Sequence, residues 1–314
     1  MTAALPLFYF KPTICWVDDD QLFLDAANIS FSQDYHCLIF NNPHTGLHYL
    51  NSYQAPLSSI SFMREFTESD VFGTNNRYPV DVNLNHIKNI FHIENKSREM
   101  PVLIVDNNMP GMSGIELCHA LKNLPIKKIL LTGEKAPETV IDAFNHGVID
   151  RFISKDHGFS DTLNRYVAEL TRQYFYEKSC HLLSHIEASR PSLLSDALFM
   201  DFFHCWCLKN EIEEYYLINK QGSYLLKSKQ GKLFCLAAMS EQDKMEFIKL
   251  NDELVDDAAD LLNEVAKGKL LPFFGIEKES WDVDVSAWQS YFYPCEMIAG
   301  RENYYWAVVE MDSL

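Results

Sequence analysis

The feature that most constrains this 314-residue chain is where polar residues fall in its first half. Short apolar runs alternate there with stretches of helical spacing. Four of those runs stop on a polar landmark: Thr13 to Val17 on Asp18-Asp19-Asp20, Val102 to Val105 on Asp106, Lys128 to Leu131 on Thr132, and Arg151 to Ser154 on Lys155. Alternating strands and helices predict a doubly wound parallel sheet. In such sheets, ligands bind beyond the carboxyl ends of the strands, so the four ends are expected to meet in one crevice. One polar residue after a strand is an ordinary surface residue. Four with complementary chemistry on one edge predict a site.

The intervening segments fit this plan. Leu22, Phe23, Ala26, Ala27 and Ile29 form a helical stripe, and His36 to Phe40 reads as a strand. Pro43 suits the first turn of the next helix. Helices are also expected over Ile115 to Leu124 and Pro137 to His146, with Gly147 as a C-terminal cap. Residues 54–99 break the rhythm with polar composition and the punctuation Pro56, Gly73, Asn75-Asn76 and Pro79. Two apolar patches inside them, Ile60 to Phe66 and Val82 to Ile93, are compatible with helices, so a structured insertion is expected. From Asp161 to about Ala188 the apolar residues Leu163, Val167, Leu170, Tyr174, Leu182 and Ile186 mark one long helix. It either packs on its own sheet throughout or links domains, or pairs subunits, with its distal part.

The expected domains are therefore 10–160 with the insertion 54–99, a linker or dimerisation helix at 161–190, and a second domain at 192–314. Strands are expected there at Tyr215 to Asn219, Tyr224 to Lys229 and Leu233 to Ala238, with turns at Gln221-Gly222 and Gln230-Gly231. A long helix capped by Ser240 and ended by Gly268 follows, and Tyr304 to Glu310 is the last strand. That order is α+β.

The chemistry of the first crevice is specific. Carboxylates crowded on one edge repel each other and favour a hard divalent cation such as Mg²⁺. Asp106 is suited to attack phosphorus as an anionic nucleophile. The Lys155 ammonium would spread the charge of the transferring group, the Thr132 hydroxyl would hydrogen-bond it, and Gly133 would leave it room.

The same segments carry a family resemblance. Val17-Asp18-Asp19-Asp20, Val105 through Gly114, Leu130-Leu131-Thr132-Gly133 and Phe152-Ile153-Ser154-Lys155 resemble the receiver domains of two-component response regulators, which have the CheY-like fold. The resemblance implies that Asp106 takes a phosphoryl group from a sensor histidine kinase. It also implies that Asp19, Asp106 and the main-chain carbonyl of Asn108 bind Mg²⁺, with Asp18 helping through water, and that Thr132, Lys155 and Phe152 form the switch. Homodimerisation on phosphorylation, through residues near 135–175, follows from it as well. Two departures stand out. Asp19 and Asp106 are 106 − 19 = 87 positions apart, about twice the family spacing, the excess being the 54–99 insertion. Asp156 also follows Lys155 where the family usually has a cis proline, and a non-proline cis bond costs ~3 kcal/mol, so this loop is expected to be trans or strained.

The second half lacks a basic recognition helix, cyclase, phosphodiesterase or kinase motifs, and any His/Asp/Cys arrangement that would predict an enzyme. Lys128 to Lys155, together with Glu214-Tyr215-Tyr216-Leu217, Gly222 through Leu226, Trp288 through Pro294 and Gly300 through Tyr305, resemble the Legionella-type response regulators linked to α-hydroxyketone quorum sensing. Net charge is −17, and residues 192–314 hold 11 Lys+Arg against 22 Asp+Glu, which disfavours DNA as a target. The expected output is protein–protein contact. A nucleotide or small-molecule pocket formed by Tyr215, Tyr216, Trp288, Tyr291 and Tyr304 is the alternative, and a DNA-binding regulator the second alternative. No apolar run approaches the ~20 residues of a membrane span, and Met1 to Pro6 lacks the pattern of a signal peptide. The eight cysteines are scattered, with Cys205, Cys207 and His204 the nearest thing to a metal motif. A cytoplasmic protein with no membrane partner is expected.

Overall fold

A computed structural model describes residues 4–59, 84–133, 138–156, 158–187, 193–251, 255–276, 278 and 280–311. The patch Ile60 to Phe66 lies outside them, as do residues 188–190 of the expected linker helix. The chain divides into two compact units: Phe10–Ile60 with Ile93–Lys178, and Met1–Tyr9 with Ser61–His92 and Ser179–Leu314.

In chain order, β1 (Phe8–Tyr9) belongs to the second of these units and β2 (Thr13–Val17) opens the first. There follow α1 (Gln21–Phe31), β3 (His36–Phe40) and α2 (Pro43–Ser52). Next come α3 (Leu84–Ile90), which belongs to the second unit, and then β4 (Val102–Asp106), α4 (Gly114–Ala120) and β5 (Lys127–Thr132) of the first. The first unit closes with α5 (Glu138–Asn145), β6 (Arg151–Ser154) and most of α6 (Phe159–Glu187).

The first unit is the expected parallel sheet, in the order β3-β2-β4-β5-β6. Period-two alternation divides its core between two faces. Ile14, Trp16, Ile104, Ile129 and Leu131 point to Leu24, Ala27 and Phe31 of α1 and to Leu163, Val167 and Leu170 of α6. Cys15, Val17, Leu103, Val105 and Leu130 point to Leu50 of α2, Leu117 and Cys118 of α4, and Val140 and Ala143 of α5. The proximal stripe of α6 thus packs on its own sheet. The side chains of Leu182 and Ile186 lie outside the described residues. Glu99, fully buried, joins the ends of the insertion to α6, accepting from the Leu57 N–H at 2.9 Å and from the Tyr174 hydroxyl.

Three local expectations are corrected. The helix expected to reach Leu124 ends at Ala120, because Leu121 turns to φ −101°, ψ 19° just before Pro125. The helix begun at Ser240 is two helices, α8 and α9 below, the first stopping at a nonhelical Asn251. In the second unit, β1 and a helix at 197–209 were not expected.

That unit contains α7 (Ala197–Lys209), β7 (Ile212–Leu217), β8 (Tyr224–Ser228) and β9 (Leu233–Ser240). It continues with α8 (Glu241–Leu250), α9 (Val255–Ala266), β10 (Leu270–Pro272), β11 (Phe292–Pro294), β12 (Glu296–Ala299) and β13 (Asn303–Met311). Six strands form an antiparallel sheet in the order β1-β7-β8-β9-β13-β12, and β10 pairs with β11. Segments outside 192–314 are part of it. Phe8 and Tyr9 pair with Tyr216 and Tyr215, and Phe91, just past α3, meets the Tyr216 ring at 5.6 Å.

Asp196 fixes α7 to this sheet. It caps the helix through the Leu198 and Phe199 N–H groups at 2.9 and 3.2 Å, and accepts from the Arg301 N–H at 2.7 Å and the Tyr304 hydroxyl at 3.3 Å. Burial would raise its carboxyl pKa, but the Arg301, Phe199 and Leu198 N–H groups hold it below the ordinary 3.8. Asp196→Ala is expected to cost about 2–4 kcal/mol, since a cap is lost and buried donors are orphaned. The depressed pKa means that Asp196 contributes fully above the unfolded value and loses its contribution as the pH falls through the folded one. Chemical denaturation of both proteins should show the gap between wild type and Asp196→Ala narrowing below the ordinary value of 3.8. No described helix is long and apolar enough to cross a membrane.

Candidate phosphoryl-acceptor site

Parallel register brings the four expected ends together. Val17 pairs with Val105, Asp106 with Leu131, and Thr132 with Ser154. Asp18, Asp106, Thr132 and Lys155 therefore stand at the carboxyl edge of neighbouring strands.

The three acidic residues after β2 do three different things. Asp20 caps α1, accepting from Leu22 and Phe23 N–H at 2.9 and 3.2 Å. Asp19 is exposed. Asp18 is buried; its Oδ1 accepts from the Asp20 N–H at 2.9 Å and its Oδ2 from Lys155 Nζ at 2.7 Å. The same Nζ is 2.7 Å from Oδ1 of Asp106, whose Oδ2 accepts from the Asn108 N–H at 2.7 Å. One ammonium thus bridges two buried carboxylates. Burial raises the Asp18 pKa; the Lys155 hydrogen bond and the Asp20 N–H oppose this, the charge of Asp106 adds to it, and the net shift is upward. Burial would lower Lys155, but its hydrogen bonds to Asp106 and Asp18 prevail and hold it above its ordinary value.

Thr132 is buried, and its carbonyl accepts from the Lys155 N–H at 2.7 Å, which ties the end of β5 to the loop bearing the lysine. The described residues contain no cis peptide, so the Lys155–Asp156 bond is trans. Phe152 is half-buried, with its ring edge-on to Phe144 of α5 at 6.0 Å. Asn108 is exposed at the mouth of the site.

The donor set suits a hard cation. Asp18 and Asp106 share a single positive charge, Asp19 stands exposed beside Asp18, and every candidate ligand atom is an oxygen. Among the described residues no three His, Cys, Asp or Glu side chains form a metal cluster. Mg²⁺ does not need one, since it takes one or two carboxylates and keeps several waters. The same statement covers Cys205 and Cys207: the first is exposed on α7, and burial pushes the second up to about 12.

Two neighbours were not singled out from sequence. Phe23 places its ring 4.4 Å from Lys155 Nζ. Gly114 approaches the Asp106 carbonyl so closely that a Cβ there would lie 2.3 Å from it. The signal for the first was an aromatic residue four positions after Asp19 on a helix capped by Asp20. The signal for the second was a glycine at the first position of a helix.

The five aromatics proposed for a ligand pocket take part in core packing, with Trp288 and Tyr291 sharing Phe274. Tyr215 packs with Phe203 and Tyr224, Trp288 with Phe274 and Phe292, and Tyr304 with Phe199. Tyr216 is fully buried against Phe91, and Tyr291 stacks on Phe274.

Comparison with known proteins agrees with this geometry. Residues 76–166 match the family model of the response regulator receiver domain. Over 100% of this chain and 92% of the other, the fold is similar to the Legionella pneumophila response regulator LqsR, with a TM-score of 0.77 at 24% identity. Partial matches include an adenylate cyclase from Rhodopirellula baltica, with 19% identity, TM-score 0.38, and coverage of 55% of this chain and 96% of that one. Another is the response regulator TrrA from Thermotoga maritima in complex with Mg²⁺–BeF, with 17% identity, TM-score 0.33, and coverage of 51% and 98%. No curated protein matches this sequence. The chain thus contains a stretch that matches the response regulator receiver domain, within a chain-long fold similar to that of LqsR.

Proposed function

We propose that the protein is a phosphorylation-controlled response regulator that accepts a phosphoryl group on Asp106 from a sensor histidine kinase. The observation that carries this reading is the Lys155 ammonium held 2.7 Å from both Asp18 and Asp106 at the carboxyl edge of the sheet. An Oδ of Asp106 attacks the phosphorus of a phosphohistidine, the P–N bond breaks, and an acyl phosphate forms. Lys155 is placed to exchange its contact with Asp106 for a phosphoryl oxygen, and Thr132 supplies the hydroxyl that reads the new group. Mg²⁺ held by Asp19, Asp106 and the Asn108 carbonyl, with Asp18 through water, would neutralise charge on the transferring group. The new group adds nearly two negative charges. Thr132 and Lys155 move toward it, and Phe152 follows into the space they leave. Transfer of label from phosphorylated kinase to the full-length protein, released by hydroxylamine as an acyl phosphate is, tests the assignment. A label resistant to that treatment contradicts it.

Output is proposed to run through protein–protein contact, in keeping with the acidic second half and the core-packed aromatics. By resemblance to the α-hydroxyketone response regulators, the role is cell-density signalling in the cytoplasm. Phosphorylation is proposed to strengthen a homodimer through α5, β6 and α6, where Ile141 and Phe144 are 45% and 41% exposed. Sedimentation with a phosphodonor and Mg²⁺ should convert monomer to dimer, and an unchanged mass would sink this part of the proposal.

A further inference from the structure

Lys155 has a third partner besides the two carboxylates. Its Nζ lies 4.4 Å from the centre of the Phe23 ring on α1. That ring is held in place by its own neighbours. Trp16, buried on β2, meets it at 6.2 Å and 66°, and Phe159, in the first turn of α6, at 6.0 Å and 31°. The ammonium is thus held by Asp18 of β2, Asp106 of β4 and the π face of an α1 aromatic. An aromatic face attracts a cation through its quadrupole, and does so more strongly as water is excluded. Neither carboxylate alone fixes where the ammonium sits between them, because moving toward one weakens its bond to the other. A ring above it supplies a restraint that does not change when one oxygen partner is replaced by another.

We propose that Phe23 is a positioning residue for Lys155, keeping the ammonium over the Asp18–Asp106 gap while its contact passes from the Asp106 carboxylate to the arriving phosphoryl group. The proposal rests on the phosphoryl-acceptor reading above. Phe23 does not touch the phosphoryl group; it acts through Lys155. The competing view is that Phe23 only fills space between α1 and α6. A leucine fills that space nearly as well and has no π face, whereas a tyrosine keeps both.

The test uses the full-length protein as wild type, Phe23→Leu and Phe23→Tyr, with acetyl phosphate and Mg²⁺. Phosphorylation of Phe23→Leu is expected to be slower by about 3- to 10-fold, the factor that corresponds to losing a partly desolvated cation–π contact, with Phe23→Tyr close to wild type. In the metal-free proteins, the side-chain methylene protons of Lys155 should show a ring-current shift in wild type and Phe23→Tyr that Phe23→Leu lacks. This second readout involves no phosphoryl chemistry and reports whether the ring faces the lysine side chain; the rate difference between the two variants is what separates positioning from packing. Equal rates for the two variants, or a wild-type lysine without the ring-current shift, would overturn the positioning role and leave the acceptor assignment standing. A wild type that takes no phosphoryl group from any donor would overturn both.

Discussion

Asp106→Asn is expected to lose phosphoryl acceptance completely while retaining its fold. The substitution is isosteric and removes only the charge and nucleophilicity of the group placed at the end of β4. The amide oxygen can still accept from the Asn108 N–H, which is 2.7 Å from Oδ2 in wild type. The amide NH₂ then faces Lys155, which gives up a 2.7 Å charge-assisted bond and keeps Asp18 and the Phe23 ring. Loss of one ion pair in a half-buried site is offset in part by relief of carboxylate–carboxylate repulsion, so stability should change by less than about 1 kcal/mol. Asp18 has the same kind of contacts, to Lys155 and to the N–H two residues on, so this variant separates the two carboxylates. With Asp106 as the acceptor, the label should fall to background with kinase and with acetyl phosphate alike. Intact mass and phosphorimaging measure this directly, and thermal unfolding shows that the variant is folded. Label persisting on a folded Asp106→Asn protein would remove the central assignment.

The meeting of the candidate site's residues was legible because each sits at a strand end, where the change from apolar to polar is local and abrupt. Asp18, Asp106, Thr132 and Lys155 need only the parallel register to meet, and that register follows from the alternation of strand and helix. Phe23 was less legible. It falls on the apolar stripe of α1, so the pattern assigns it to the core, and only the geometry places its ring over Lys155. The second unit was harder for other reasons. Residues 197–209 are apolar nearly all round, so the amphipathic period that announces a surface helix is weak, and Asp196 is the one local sign of a cap. Strand β1 has two residues, and its partners, Tyr215 and Tyr216, lie some two hundred positions away. Nothing within a short window can report that pairing. The break at Asn251 was missed because apolar residues recur at helical spacing on both sides of it.

A methyl group at Gly114 is expected to be among the most damaging small changes in the receiver. An added Cβ would lie 2.3 Å from the Asp106 carbonyl oxygen, 2.7 Å from Leu130 Cδ1 and 3.0 Å from the Asn107 Cα. The Leu130 methyl can rotate away, but the other two atoms are backbone and cannot. Either the start of α4 lifts away from the sheet or the end of β4 shifts. The first would strain the capping box between Ser113 and Glu116 and the Gly114 N–H bond to the Asn107 carbonyl, 3.1 Å in length. The second would move Asp106, the proposed acceptor, itself. Overpacking of this kind costs about 2–4 kcal/mol, so Gly114→Ala should melt roughly 5–12 °C below wild type. Phosphorylation of the folded fraction should drop at least about tenfold, because a displacement near 1 Å at a reacting group is enough for a loss of that order. Gly133 provides the contrast, since a Cβ there meets nothing within 4 Å. Gly133→Ala should stay within about 0.5 kcal/mol of wild type. If both variants unfold together with wild type, the close approach of α4 to β4 is not the constraint that makes residue 114 a glycine.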